Sequence, residues 1–251
     1  MLCKSEAIVI RSLDYGEGHK ILLLLTAESG KVSVMARGAK KPRSRLAAAA
    51  QMFTHGEYTY YQQHAGKMGT LNHGEIIDAH QPLREHLLLG AYAAYLAELV
   101  DRLVADQEGR ALFPQLAAAL EALERGKDAA IVAHLFELRV LEETGYAPML
   151  DACVQCRRDI DAERAAISAG AGGVVCADCR KSVQDAIAVG AKPFKLLRLF
   201  QRTDLRRLGN VSVSEETKRE LARILDLWMR HHIGIPFKSR HFIEQMEKHG
   251  L

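Results

Sequence analysis

The chain has 251 residues, 48% of them hydrophobic and 26% charged, a balance that suits a globular protein with a substantial core and excludes a disordered chain. No apolar run reaches the roughly 18 residues of a membrane span, and residues 1–11 lack the apolar centre of a signal peptide, so a cytoplasmic location is expected. The formal net charge of +3 is unevenly placed: residues 1–80 hold 10 Lys and Arg against 7 Asp and Glu, while residues 81–251 hold 24 of each.

Residues 1–80 carry strand patterns. Residues 6–13 alternate, with Ala7, Val9 and Arg11 on one face and Ile8, Ile10 and Ser12 on the other. A glycine turn at residues 14–18 leads to a second strand over 20–26, and Ser29-Gly30 turns the chain into a third over 31–37. Residues 57–62, rich in Tyr and Thr, predict a fourth strand, and residues 70–79 a fifth. Five strands with one long connection suit an OB-like Greek-key barrel, though strand number alone does not separate it from an SH3-like barrel. Cys3 is expected to serve as a small apolar residue at a strand start.

The long connection is the basic part. No acidic residue occurs between Glu28 and Glu57, a gap that holds Lys31, Arg37, Lys40, Lys41, Arg43 and Arg45. Gly38 and Pro42 are expected to keep residues 38–45 out of regular structure as a mobile loop. Arg37, Lys40, Lys41, Arg43 and Arg45 are the candidate phosphate-binding residues: guanidinium forks grip phosphate bidentately and ammonium groups act as point charges. Tyr58, Tyr60 and Tyr61 are candidate stacking faces for unpaired bases, or alternatively barrel packing. The pair Gly16-x-Gly18 is a turn, since Ile21 stands where a nucleotide loop needs its third glycine.

From Pro82 the apolar period changes to that of helices. Leu83, Leu87, Leu88, Tyr92, Tyr95, Leu96, Leu99, Val100 and Leu103 predict one long helix, residues 112–123 a second, and residues 129–144 a third closed by Gly145. Further helices are expected from Pro193, from Ser214 through Met229, and over residues 239–248. Arg198, Arg202, Arg206 and Arg207 near Phe200 are either an apolar groove flanked by cations or, equally, a solvated helix face. His134, on the third helix without a second histidine, is expected to be packed or solvated.

Between the helical stretches lie Cys153-Val154-Gln155-Cys156 and Cys176-Ala177-Asp178-Cys179. Two such pairs form facing knuckles, and four thiolates suit one tetrahedral Zn²⁺ at about 2.3 Å. A full sulfur shell leaves no site for water, so the predicted ion is structural. It would staple a Gly-rich polar loop (Gly170, Gly172, Gly173) that has little core of its own. Disulfides do not suit the expected compartment, and a redox motif needs only one pair. The expected fold is therefore α+β and multidomain. It has an N-terminal five-stranded OB-like β-barrel (1–80), an all-α helical domain in two halves (81–150 and 183–251), and an embedded four-cysteine zinc knuckle (151–182). No serine-hydrolase elbow, Walker sequence, zinc-deaminase pattern or carboxylate cluster is present, so catalysis is not expected.

Taken together, the chain resembles the RecO family of bacterial recombination mediators. The resemblance rests on Asp14-Tyr15-Gly16-Glu17, residues 26–31, and Ala36-Arg37-Gly38-Ala39-Lys40-Lys41-Pro42-x-Ser44-Arg45. It continues in Phe136-Glu137-Leu138, Gly145-Tyr146-x-Pro148-x-Leu150, both cysteine pairs, and residues 227–240. Gly18 and His19 depart from the small polar residues expected after Glu17. The resemblance implies a nucleoid-associated bacterial protein without turnover. It would bind single- and double-stranded DNA, anneal complementary strands, and help load a recombinase onto strands coated by single-strand DNA-binding protein. Its implied partners are a RecR-like ring protein and the C-terminal tail of the coating protein. The alternative is a zinc-containing OB-fold adaptor that binds RNA or DNA without annealing.

Overall fold

The strand β1 (Leu2–Tyr15) is shared by both halves of the molecule, which a computed structural model describes over residues 1–64 and 66–249. With β2 (His19–Thr26), β3 (Gly30–Ala36), β4 (His55–Tyr61) and β5 (Gly69–Asp78) it closes a barrel in the order β1-β2-β3-β5-β4. Parallel pairing of Val34 with Gly69 and Met35 with Thr70 completes the circuit, the closure of an OB barrel. Ala65, within the barrel's expected span, and Gly250 and Leu251, at the end of the last helical half, lie outside the described residues.

Alternation in β1 does not separate a buried face from a wet one. Ala7 and Val9 pack inside the barrel with Leu22, Leu24, Val32, Val34, Tyr58 and Tyr60. Ile8 and Ile10, on the opposite face, join Leu25, Leu96 and Leu99 in the core of the helical domain. Cys3 packs half-buried against the barrel core. The second side of β1 is a domain interface, so both of its registers are apolar.

The halves approach closely at the β2–β3 hairpin. Gly30 has φ +65°, and a Cβ there would lie 1.9 Å from the Glu108 carbonyl oxygen. Lys31 donates its backbone N–H to that carbonyl at 2.9 Å, and its Nζ reaches the Asp101 carbonyl at 2.9 Å. Lys31 is only 7% exposed, so this member of the basic gap is a domain fastener and faces no ligand. Arg11 adds an ion pair to Asp101 at 3.1 Å.

The helical domain comprises α1 (Gln81–Glu85), α2 (Leu87–Leu103), α3 (Leu112–Glu124), α4 (Ala129–Glu143), α6 (Ala191–Arg202), α7 (Glu215–His232) and α8 (Lys238–Lys248), with a short α5 (Ala177–Arg180) in the insert. The long helix expected from Pro82 is broken at His86, whose backbone is extended (φ −104°, ψ 116°). The break lets α1 fold onto α2 where Gly90 has no side chain: a Cβ there would lie 2.6 Å from the Leu83 carbonyl. Leu83 is fully buried by this turn. Gly145 ends α4 as expected, with φ +79°.

Helix α4 is buried on most of its circumference, and its two buried polar residues, His134 and Glu137, pair with each other. His134 Nδ1 lies 2.9 Å from Glu137 Oε2, while Tyr95 donates its hydroxyl to Glu137 and Arg240 approaches from α8 at 3.8 Å. Burial alone would raise the Glu137 pKa. Hydrogen bonding and charge from His134, with Arg240, outweigh it and hold the carboxyl below its ordinary 4.5.

Candidate metal centre and nucleic-acid interface

The segment between α4 and α6 contains more regular structure than its glycines predict. Strands β6 (Ala166–Ser168), β7 (Gly173–Val175) and β8 (Ile187–Ala188) form a small antiparallel sheet. Ile167 and Val174 insert into the main helical core, so the insert has its own hold on the domain. Gly173 is needed for close approach: a Cβ there would meet the Met149 carbonyl oxygen at 2.2 Å.

This sheet delivers the cysteines to one another. The Val154 amide bonds to Val174 in β7 at 2.9 Å, aligning the first knuckle beside the strand that runs into Cys176. The second knuckle is α5, with Cys176 at its N-cap. The Sγ atoms of Cys153, Cys156, Cys176 and Cys179 all lie within 4.8 Å of one another. Cys156 and Cys176 are 3.7 Å apart, close to the edge of about 3.8 Å for a tetrahedron of sulfurs about 2.3 Å from its centre. The donor set and spacing fit a tetrahedral metal ion.

Local donors favour thiolate. The Cys176 amide points at Cys153 Sγ at 3.4 Å, and Arg158 Nε at Cys156 Sγ at 3.4 Å. The backbone and then the guanidinium of Arg158 pull the Cys156 thiol down to about 6. Hydrogen bonding to Cys156 and Cys176, together with burial, pushes Cys179 up to about 12. Four sulfurs this close cannot all carry charge unless a cation sits among them.

The five candidate DNA-binding cations occupy the turns between β3 and β4, where all five side chains are exposed. This connection is a run of hydrogen-bonded turns and not an open loop. Lys41 bonds back to Gly38, Ser44 to Lys41, Ala47 to Ser44 and Ala50 to Leu46 through the backbone. Ala49 and Ala50 plug the barrel core, and the Tyr58 hydroxyl bonds to the Ala49 carbonyl at 2.8 Å.

The two departures after Glu17 fasten the start of this connection. His19 Nδ1 accepts the Gly38 N–H at 3.0 Å, and the Gly18 carbonyl accepts from Lys40 at 3.1 Å. A Cβ on Gly18 would press on the Lys41 side chain at 3.3 Å. Lys40 is not free: its Nζ pairs with Asp14 at 2.7 Å, and Lys20 shares that carboxylate at 3.3 Å. Arg37, Lys41, Arg43 and Arg45 make no ion pair among the described residues.

Tyr58 and Tyr60 are buried in the barrel and cannot stack on a base; Tyr61 is exposed. An exposed aromatic ring that shares a cleft with one of these cations, Arg37, is Tyr15, at the end of β1 and 53% exposed. It lines a shallow cleft with His19, Met35, Arg37, Met68 and Thr70. Glycine-turn reading directs attention to Gly16 and away from the tyrosine before it; an exposed aromatic next to a turn on the basic side was the available clue.

At the cation-flanked groove expected at Phe200, Leu199 is exposed and Arg207 makes no ion pair among the described residues, while the other groups are engaged. Phe200 is buried, Arg198 and Arg202 both pair with Asp151, and Arg206 pairs with Asp204.

An OB barrel with exposed cations and an aromatic cleft, fused to a helical domain that carries a four-cysteine cluster fit for a metal ion, defines a class of oligonucleotide-binding-fold proteins with a cysteine knuckle. A family model described as "Recombination protein O N terminal" matches residues 1–80, and one described as "Recombination protein O C terminal" matches residues 84–241. The chain is 41% identical over 249 residues to the DNA repair protein RecO of Bacillus cereus (strain AH187), covering 99% of each chain. It is 41% identical over 251 residues to that of Bacillus cytotoxicus, again covering 99% of each. The chain belongs to the RecO family of DNA repair proteins.

Proposed function

We propose that this protein is a non-catalytic recombination mediator that binds single- and double-stranded DNA on the barrel and anneals complementary strands. The observation that carries the reading is the run of four exposed cations on the β3–β4 connection, Arg37, Lys41, Arg43 and Arg45, which make no ion pair among the described residues and of which Arg37 lines the Tyr15 cleft. Phosphates of a strand crossing this edge meet the guanidinium and ammonium groups, and the Tyr15 ring offers a face to an unstacked base. Such contacts carry little sequence information, as a mediator requires. Annealing brings two polyanions together, and a basic surface lowers their repulsion without nucleotide hydrolysis. Lys40, locked to Asp14, shapes the surface more than it grips DNA.

In this reading Cys153, Cys156, Cys176 and Cys179 hold one structural Zn²⁺, which supplies a cross-link between the two knuckles and no reactive position. Loading of a recombinase, through a RecR-like protein and the tail of the single-strand DNA-binding protein, is the role that family membership suggests.

The test is annealing of complementary oligonucleotides pre-coated with the cognate single-strand DNA-binding protein, without ATP. Acceleration that is lost in the Arg37/Lys41/Arg43/Arg45→Ala variant is the expected result. Folded protein that binds DNA but gives no acceleration would replace the mediator with an adaptor.

A further inference from the structure

The chain leaves the barrel through Asp78-Ala79-His80 and enters α1. His80 takes an unusual conformation there. Its backbone is left-handed (φ 46°, ψ 44°), which strains a residue with a Cβ, and its side chain is only 2% exposed. Two carboxylates converge on the ring. Glu124, the last residue of α3, places Oε2 at 2.9 Å from His80 Nδ1, and Asp78 places Oδ1 at 3.8 Å.

An imidazolium–carboxylate pair would satisfy this ring by aiming its N–H at the acid. That is not the arrangement. Both ring nitrogens and Glu124 Oε1 are buried without a hydrogen-bond partner among the described residues. Neither carboxylate is paired with a lysine or arginine there: the nearby Arg84 donates to the Met52 and Ala79 carbonyls, and Arg125 pairs with Glu121. Asp78 is itself steered, its Oδ1 accepting the His80 N–H at 2.9 Å. Two acids and an unsatisfied buried imidazole thus meet without a cation.

We infer that Asp78, His80 and Glu124 form a second metal site, for a borderline divalent ion of the Zn²⁺ class. One imidazole and two carboxylates are its usual N and O donors, and three protein ligands leave room for water. The spacing agrees. In a tetrahedron with ligands about 2.0 Å from the ion, neighbouring donors lie about 3.3 Å apart. The separations of 2.9 and 3.8 Å bracket that value. In such a shell each donor lies off its neighbour's lone-pair axis, which is why close approach of Nδ1 and Oε2 makes no hydrogen bond. The ion would tie the last barrel strand to the end of α3, fixing the barrel's exit by a clamp independent of the cysteines. This site does not depend on the DNA-binding reading.

The experiment is a titration of the full chain with Co²⁺, read by bound equivalents and visible spectrum. Two ions per chain are expected: one with intense thiolate-to-cobalt bands, lost in Cys176→Ser, and one with only weak d–d bands. The second should disappear in His80→Phe, which fills the buried site with an apolar ring, and in Glu124→Gln, which keeps the shape of the acid. Both variants should retain the thiolate-bound ion, which also reports that they are folded. One ion per chain with thiolate bands alone would overturn the assignment. So would a second ion that survives both substitutions.

Discussion

Replacing Arg37, Lys41, Arg43 and Arg45 together by Ala removes the exposed cations of the barrel edge that carry no ion pair in the described structure, leaving Lys40 on Asp14. For single strands, each neutralised phosphate contributes about 0.7 to the slope of log K against log salt, so four contacts contribute about 2.8. Between about 50 and 200 mM salt that slope amounts to about 50-fold in affinity, which the variant should no longer lose. Asp14→Asn makes the opposite prediction. It frees Lys40 from its 2.7 Å pair and should steepen the slope by up to about 0.7. Fluorescence anisotropy of a labelled oligothymidylate over a salt series measures both. A folded quadruple variant with the wild-type slope would refute the placement of DNA on this edge, whatever Asp14→Asn does.

Tyr15→Ala should weaken single-strand binding by about 1–3 kcal/mol at fixed salt with the slope unchanged, and Tyr15→Phe should restore it; equal loss in both would exclude stacking. Cys176→Ser should lose metal and melting temperature together, measured by metal analysis and calorimetry, and metal loss without a change in melting would show that the ion is not structural. Gly30→Ala places a Cβ against the Glu108 carbonyl at a positive φ, and should cost about 2–5 kcal/mol in urea unfolding; a cost below about 1 would contradict the tight hairpin approach. Glu137, held below 4.5 by His134 and Arg240 against its burial, contributes stability above pH 4.5 that is lost as pH falls through its folded pKa. Glu137→Gln should therefore destabilise at neutral pH by about 3–5 kcal/mol and flatten the acid limb of the stability curve, and an unaltered limb would assign acid lability elsewhere.

The barrel strands and the cysteine knuckles are legible because their information is local: alternation, a Ser-Gly turn, two residues between thiols. What escaped depends on partners remote in sequence. Lys31 reads as one more cation until the Asp101 carbonyl arrives from the end of α2 and the Glu108 carbonyl from the α2–α3 connection. Lys40 is paired with Asp14, which arrives from β1. Alternating tyrosines in β4 look the same whether they face solvent or core, and closure of the barrel decides for the core at Tyr58 and Tyr60. The helical period runs on through His86, so no break shows in it; the fold-back needs Gly90 opposite Leu83. Glu124 lies far along the chain from Asp78 and His80, and no spacing rule joins them.

The double burial of β1 bears on how the molecule carries load. Ile8 and Ile10 would be bared, with Leu25, if the barrel were separated from the helices, leaving a sticky apolar stripe on a sheet. The barrel is thus not a module on a tether. Because β1 contributes to both cores, a load applied to the barrel through β1 passes directly into the helices.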